Sequence, residues 1–181
     1  MRSISCPMPS PSIQTTRLHL VPFTPAMFDE LYHLFTHPSV RQYLLDDTIV
    51  QPEWVHDAIL TSQRSFEDHG YGLWAIHMRA QNSIIGFCGF WRFEHLAYPL
   101  QLNYGLLPEF WNIGLATEAS KAVIEYGFEQ LDFSEIVAAA DVPNKASFRV
   151  MERLGMRHWM DDGGITYFKL NRPLFVAQDG Q

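Results

Sequence analysis

The chain has 181 residues, of which 47% are hydrophobic and 14% aromatic. This composition supplies one sizeable core and excludes a chain that is disordered over most of its length. No stretch approaches the roughly 18 consecutive apolar residues of a membrane-spanning helix. Thirteen basic and twenty acidic side chains give a formal net charge of −7. An acidic surface repels phosphate backbones and attracts amine-bearing ligands, so we expect neither nucleic-acid nor membrane partners.

The first 15 residues are rich in Pro and Ser and have no hydrophobic periodicity. We therefore predict a flexible arm over residues 1–15, a single domain over residues 16–175 and a tail over residues 176–181. Cys6 and Cys88 form no motif; a disulfide between them stays possible, but no framework of disulfides is predicted. The lead lacks the apolar stretch of a signal peptide, which favours a cytoplasmic protein.

Periodicity predicts the first elements of the domain. Residues 17–21 alternate apolar and polar side chains, as a strand does. A helix is then predicted from Thr24, a residue type that favours a helix N-terminus, to Pro38, which ends it. A short turn through residues 40–44 follows, and a second amphipathic helix begins at Pro52 and ends at Gly70.

The remaining chain predicts three successive strands, a helix, a strand, a helix and a closing hairpin. These elements cover residues 73–77, 84–93, 100–107, 116–131, 135–140, 146–154, 156–160 and 166–170. The order is β-α-α-β-β-β-α-β-α-β-β, which indicates a mixed α/β sheet with helices on both faces.

The segment Asn103–Ala119 (NYGLLPEFWNIGLATEA) carries the first chemical signal. It predicts a strand, then a short loop that holds Gly114, then a helix. Such a loop leaves several backbone N–H groups unpaired at the positive end of the helix dipole, which suits a pyrophosphate. Gly114 matters because a side chain there would hold a phosphate away from the backbone. Alone, the loop is also typical of an ordinary helix N-terminus.

The resemblance to a known family rests on four segments. They are TTRLHLVPFTPAMFDEL (15–31), SIIGFCGF (83–90), NYGLLPEFWNIGLATEA (103–119) and DVPNKASFRVMERLGM (141–156). In this order they resemble the GCN5-related N-acetyltransferase (GNAT) superfamily, in the branch that includes ribosomal-protein Ser/Ala N-acetyltransferases. The resemblance implies a mostly antiparallel central sheet and an acetyl-CoA site in the cleft where two parallel neighbouring strands splay apart.

The resemblance also implies roles for individual residues. Backbone groups of Gly105, Leu106 and Leu107 would face the pantetheine arm. Asn144 would bind the cofactor or an ordered water, and Ser147 would lie near the thioester sulfur and assist departure of the thiolate. The pyrophosphate would be held by the N–H groups of Asn112, Ile113, Gly114, Leu115, Ala116 and Thr117.

Two residues depart from the family pattern in the phosphate loop, which is usually Trp-Gly-(Arg or Lys)-Gly. Asn112 replaces the first glycine, and because Asn tolerates a positive φ we expect the loop to fold in the same way. Ile113 replaces the cation. Losing a partly exposed charge-assisted contact weakens binding by roughly 1 kcal/mol, or about fivefold to tenfold in affinity.

The base and the acid of the family pattern are also missing. Gln101 stands where many relatives have a Glu, and Met151 stands where the wider superfamily often has a Tyr. Glu94 and His95 are substitute candidates for the base. A site without a dedicated base matches an α-amine better than a lysine amine, because deprotonation at about pH 7 costs roughly 1.1 against 4.6 kcal/mol.

Several side chains keep two interpretations. Trp91, His95 and Tyr104 are candidates for acceptor binding, although aromatic residues in strands more often belong to the core. Residues 40–70 and 92–99 are expected to shape the acceptor pocket. Other polar side chains fit either a ligand site or a solvated helix face: His33 and His37 for a metal, and Arg149, Arg153 and Arg157 for the 3′-phosphate of CoA.

We therefore predict an N-acetyltransferase that moves an acetyl group from acetyl-CoA to a primary amine by direct attack, with no metal. An α-amine of a peptide, protein or small molecule is favoured as the acceptor. The alternatives are a non-catalytic acyl-CoA-binding module on the same fold and, less favoured, a transferase that uses another acyl donor. A monomer or a homodimer is expected.

Overall fold

The computed structural model describes residues 11–94, 96 and 98–172. The strands are β1 (Ile13–Gln14), β2 (Leu18–Pro22), β3 (Leu73–Met78), β4 (Ile84–Arg92), β5 (Leu100–Leu106), β6 (Glu135–Asp141), β7 (Arg157–Asp162) and β8 (Ile165–Asn171). The helices are α1 (Phe28–Thr36), α2 (Pro38–Leu44), α3 (Pro52–His69), α4 (Leu115–Glu129) and α5 (Lys145–Arg153). None of the helices described here is both long enough and apolar enough to cross a membrane.

The strands form two antiparallel sheets. The first has the order β1-β2-β3-β4-β5 and the second the order β6-β8-β7. β5 and β6 contact each other where the sheets meet, but no backbone ladder joins them in the described chain. The C-terminal ends of both strands line one cavity, as expected of parallel neighbours. This architecture confirms the mixed, mostly antiparallel fold predicted from the sequence.

Side-chain alternation along the first sheet divides the interior into two cores. On β3, Trp74 and Ile76 pack in the core that contains α4, α5 and the second sheet. Their neighbours Leu73 and Ala75 pack against α1 and α3 on the opposite face. The two apolar faces of the sheet are thus each covered by helices, as the predicted order of elements requires.

Two local predictions are wrong. Residues 40–44, predicted as a turn, belong to α2, because Pro38 begins a new helix instead of only ending α1. The predicted arm includes Ile13 and Gln14, which pair with β2 as β1. The indole of Trp74 also donates a hydrogen bond to the carbonyl of Pro11 at 2.6 Å, which ties this segment to the core. Residues 1–10 and 173–181, with most of the predicted arm and all of the predicted tail, lie outside the described residues.

Gly127, in the interior of α4, allows close packing against β4. A Cβ atom at this position would lie 2.8 Å from the Phe90 ring and 3.2 Å from the Ile136 side chain. We expect Gly127→Ala to lower the free energy of unfolding by about 1–2 kcal/mol, because overpacking outweighs the gain of roughly 1 kcal/mol in helix propensity. Calorimetric melting of both proteins tests this. Adding Phe90→Leu to the Gly127→Ala variant should recover part of the loss, and a raised Tm in the single variant would contradict the packing argument.

Candidate functional site

A cavity of about 510 Å³ lies where β5 and β6 separate. The end of β5 and the start of α4 form one side, and the end of β6 and the inner face of α5 form the other. Residues of α2 close the remaining side. The cavity thus lies at the junction of the two sheets, where neighbouring strands leave their facing edges unpaired and open to a ligand.

The loop before α4 presents a row of hydrogen-bond donors. Asn112 and Gly114 have φ values of 61° and 82°, so Asn112 adopts the positive φ expected of it. Within the described residues the N–H groups of residues 112–117 donate to no acceptor. The hydroxyl of Thr117 is buried and likewise has no partner there. A buried hydroxyl normally has a partner, and unpaired N–H groups at the start of a helix favour an anion, so the arrangement fits a polyanion such as a pyrophosphate.

Two hydrogen bonds fix the end of β5 and the start of this loop. The indole of Trp111 donates to the carbonyl of Leu106 at 2.7 Å, which closes the turn over Pro108–Phe110. Leu107 donates its N–H to the carbonyl of Ile85 at 2.9 Å. The end of β5 is therefore held on one side by β4 and on the other by the loop itself.

A second brace comes from the segment before β2. The Glu118 carboxylate accepts hydrogen bonds from the Thr15 hydroxyl at 2.6 Å, the Arg17 N–H at 2.8 Å and the Arg17 guanidinium at 2.6 Å. The same guanidinium donates to the carbonyl of Ile113 at 2.9 Å. We call Thr15, Arg17 and Glu118 the α4 clasp, because they fasten the first turn of α4 and its loop to the N-terminal strand region.

The clasp places a cation beside the loop but neutralises it. Arg17 is paired with Glu118, and the Ile113 side chain is 53% exposed and carries no charge. Among the described lining residues the cations are Arg149 and Arg153 on α5. The positive potential beside this loop therefore comes from backbone N–H groups and from α5, with no free cation in the loop itself.

The N-terminus of α5 forms the wall opposite the loop. The side-chain oxygen of Asn144 accepts the N–H of Ser147 at 3.1 Å, so it caps the helix. Both residues line the cavity. The Tyr104 hydroxyl donates to the carbonyl of Ser147 at 3.2 Å, and burial raises the pKa of Tyr104 well above its usual value. The phenol is thus a protonated donor at neutral pH.

Most of the predicted site residues meet at this cavity. Those that line it are Gly105, Leu106, Asn112, Gly114, Leu115, Ala116, Thr117, Asn144, Ser147 and Tyr104. Leu107, Ile113 and Trp91 do not line it: Leu107 and Trp91 pack toward the core between the first sheet and α1–α3, and Ile113 points outward. His95 lies outside the described residues.

The position of the missing base and its substitute candidate offer no proton acceptor in the cavity. Gln101 lines the cavity and is 4% exposed, and its amide donates to the carbonyl of Tyr98 at 2.8 Å. Glu94 forms an ion pair with Arg92 at 3.1 Å and does not line the cavity. Arg157 lies at a separate surface depression. Neither Gln101 nor Glu94 can therefore accept a proton inside the cavity in this arrangement.

Sequence reasoning expected residues 40–70 beside the acceptor pocket but did not predict the helix α2 that forms this wall, and it did not identify one charged group. Ser39, Val40, Tyr43 and Leu44 of α2 line the cavity, and so does Asp141 at the end of β6. Pro38 was a signal for the helix, because Pro favours the first helical position as strongly as it ends a preceding helix. Asp141 lies three residues before Asn144, in the motif whose Asn144, Ser147 and arginines were the predicted ligand groups.

His33 is exposed and His37 is partly exposed, which agrees with the interpretation of a solvated helix face. Their ring centroids are 6.3 Å apart and the rings meet edge to face. No group of three or more His, Cys, Asp or Glu side chains that could hold a metal occurs in the described part of the chain. The pair therefore gives no support to a metal site.

Comparison with known proteins agrees with this geometry. Residues 17–157 match the acetyltransferase (GNAT) domain family. An uncharacterised Bacillus subtilis protein, YkkB, is 31% identical over 149 residues, which cover 80% of this chain and 81% of YkkB. The uncharacterised N-acetyltransferase YoaA of the same organism is 26% identical and covers 87% of this chain and 92% of its own length.

Solved structures share the fold. An acetyltransferase from Agrobacterium tumefaciens superimposes with a TM-score of 0.79 at 20% identity over 90% of this chain and 95% of its own. RimL, a ribosomal L7/L12 alpha-N-protein acetyltransferase solved with coenzyme A, gives a TM-score of 0.72 at 16% identity over 89% of this chain and 98% of its own. The chain belongs to the GNAT family and is an acetyltransferase.

The α4 clasp predicts a pH-dependent contribution to stability. Burial raises the pKa of Glu118, but the hydrogen bonds from Thr15 and Arg17 outweigh it and bring the pKa below the ordinary 4.5. A lowered pKa stabilises the fold above the ordinary value and loses that effect as the pH falls through the folded pKa. We expect Glu118→Gln to cost about 1–2 kcal/mol near neutral pH and much less at about pH 3.

Denaturant unfolding of both proteins across this range measures the difference. Glu67→Gln, an exposed carboxylate on α3, is the matched control and should change little at either pH. An equal loss at both pH values would show that the carboxylate charge contributes nothing to the clasp.

Proposed function

We propose that the protein transfers an acetyl group from acetyl-CoA to a primary amine in this cavity. The observation that carries the proposal is the row of unpaired N–H groups at residues 112–117, with the buried, unpartnered hydroxyl of Thr117. These donors would hold the pyrophosphate of the cofactor. The cleft between β5 and β6 would hold the pantetheine arm, with Gly105 and Leu106 beside it.

The chain's own groups then serve a direct transfer. Among the described lining residues there is neither a Cys nor a His that could act as a covalent nucleophile. Backbone N–H groups in the cleft would stabilise negative charge that develops on the carbonyl oxygen. Ser147, whose hydroxyl also lies beside the Tyr104 phenol, would donate to the departing thiolate.

The acceptor we favour is an α-amine. Gln101 cannot take a proton, and the amine must be neutral to attack. Neutral α-amine costs roughly 1.1 kcal/mol at about pH 7 and neutral lysine amine roughly 4.6 kcal/mol. The likeness to RimL, named as an alpha-N-protein acetyltransferase, supports a peptide or protein N-terminus as the acceptor.

A non-catalytic acyl-CoA-binding module is the alternative that two observations favour. The phosphate loop has no free cation, because Ile113 replaces one and Arg17 is paired with Glu118. Gln101 also removes the base of the usual pattern. Turnover separates the two functions, because a module would bind CoA without producing it.

The first test combines binding with turnover. We expect calorimetric titration to give a micromolar Kd for CoA and for acetyl-CoA, and we expect thiol release when an α-amine such as alaninamide is added. Binding without release for any amine would favour the module. No binding at about millimolar ligand would contradict both functions.

Ile113 offers a gain-of-affinity test. Ile113→Arg should lower the Kd for CoA about fivefold to tenfold, because it restores a partly exposed cation beside the phosphate loop. Leu60→Arg adds the same charge on the exposed face of α3 and should leave the Kd unchanged. Equal effects of the two substitutions would mean that only net charge changed the affinity.

Ser147 can be tested separately from binding. We expect Ser147→Ala to lower kcat by about tenfold to a hundredfold while the Kd for CoA stays within about twofold, because the hydroxyl acts on the leaving thiolate. Ser147→Thr should keep part of the rate. Ser65→Ala, on α3 outside the cavity, is the control. A rise in Kd that accounts for the whole loss would indicate a binding role alone.

A further inference from the structure

Among the described residues that line the cavity between β5 and β6, a single one carries a carboxylate. Asp141, the last residue of β6, is half-buried and lines the cavity near Asn144. The other described lining residues are apolar, neutral polar, glycine, tyrosine or the two arginines of α5. Asp141 is therefore the lining group that carries negative charge, and the one able to accept a proton near neutral pH.

The Asp141 side chain has no partner among the described residues. Its backbone carbonyl accepts the N–H of Asn144 at 2.8 Å, but its carboxylate forms no hydrogen bond or ion pair there. Burial raises the pKa of Asp141, and the nearby carboxylate of Asp46, between α2 and α3, raises it further. A partly desolvated carboxylate beside a second one is stabilised most by a cationic ligand.

The negative and positive side chains of the cavity lie at different positions relative to α5. α5 spans nine residues, or about 13 Å. Asp141 precedes its N-terminus, whereas Arg149 lies at its centre and Arg153 at its C-terminal end, and both arginines line the cavity as well. An anion is thus favoured beside the arginines and the start of α4, and a cation is favoured beside Asp141. Ser147 lies between the two ends, in the first turn of α5.

We infer that Asp141 binds the acceptor's ammonium group and takes a proton from it, and that the acceptor is an α-amine without a carboxylate beside it. This inference rests on the proposed acetyl transfer. The nitrogen bonds to the acetyl carbon, and the carbon–sulfur bond breaks with its electron pair on sulfur. Of the two protons that the ammonium loses, one passes through Asp141 to water and the other ends on sulfur.

The surroundings of Asp141 explain the restriction on the acceptor. A free amino acid places its own carboxylate next to the amine, and Asp141 and Asp46 repel it. A peptide N-terminus has a neutral amide there instead. The facing wall of α2 contributes Val40, Tyr43 and Leu44, which suit an uncharged side chain or main chain and offer no counter-ion for a carboxylate.

The test compares alaninamide with alanine as acceptors. We expect the wild type to prefer alaninamide, and Asp141→Asn to lower kcat/KM for alaninamide about tenfold or more while alanine changes little, so the ratio falls. The intrinsic pKa difference between the two acceptors is the same in every variant, so the change in ratio isolates the side chain. Asp57→Asn, on the exposed face of α3, removes the same charge and should preserve the ratio.

A second substitution guards against a damaged fold. Asp46→Asn, at an exposed position, should lower the ratio about twofold to threefold, since it acts on Asp141 only through space. The Kd for CoA should stay unchanged in all three variants. Unchanged ratios in both Asp141→Asn and Asp46→Asn would overturn the role of Asp141 and leave acetyl transfer intact. A wild type that binds CoA but acetylates no amine would overturn both.

Discussion

The structure depends on an interruption in backbone hydrogen bonding between β5 and β6. Buried backbone N–H and C=O groups need partners, so two neighbouring strands separate only where something else satisfies their edges. Here a side chain does part of this, because the Trp111 indole donates to the carbonyl of Leu106 at the end of β5. The C-terminal ends of both strands line the cavity. The interruption therefore creates the cavity in which we propose that the ligand binds.

The net negative charge of the chain opposes the binding of a polyanion in the cavity. With a net charge of −7, the protein repels a polyanionic cofactor at long range. The loop before α4 replaces side-chain charge with oriented N–H groups, and the neutral Ile113 and the paired Arg17 leave that task to the backbone. Backbone dipoles are fixed in direction and cost little reorganisation, whereas a flexible lysine or arginine must be ordered on binding. The weaker point charge is thus partly offset by preorganisation.

Sequence reasoning predicted the parts of the fold that periodicity and turn residues encode. The core strands and the long helices follow from alternation and from caps such as Gly70, and the positive φ of Asn112 follows from the tolerance of its side chain. Sequence reasoning failed where one residue is compatible with two local structures, and where an element is too short to show a pattern. Pro38 ends α1 and also begins α2, and short β1 has too few residues for alternation to show. Asp141 reaches the cavity only because the two sheets meet there, and a single sequence does not show which strands become neighbours.

The α4 clasp also has a consequence for folding order. Its hydrogen bonds join residues about one hundred positions apart, so closing it costs considerable chain entropy and follows most local structure. During synthesis the Arg17 region is made long before α4, so the clasp cannot form until α4 has been synthesised. The loop that presents the N–H row is therefore completed late, once the N-terminal strand region has docked on α4. A ligand bound in that loop consequently stabilises the entire domain against unfolding, and its affinity reports on the integrity of strands far from the site.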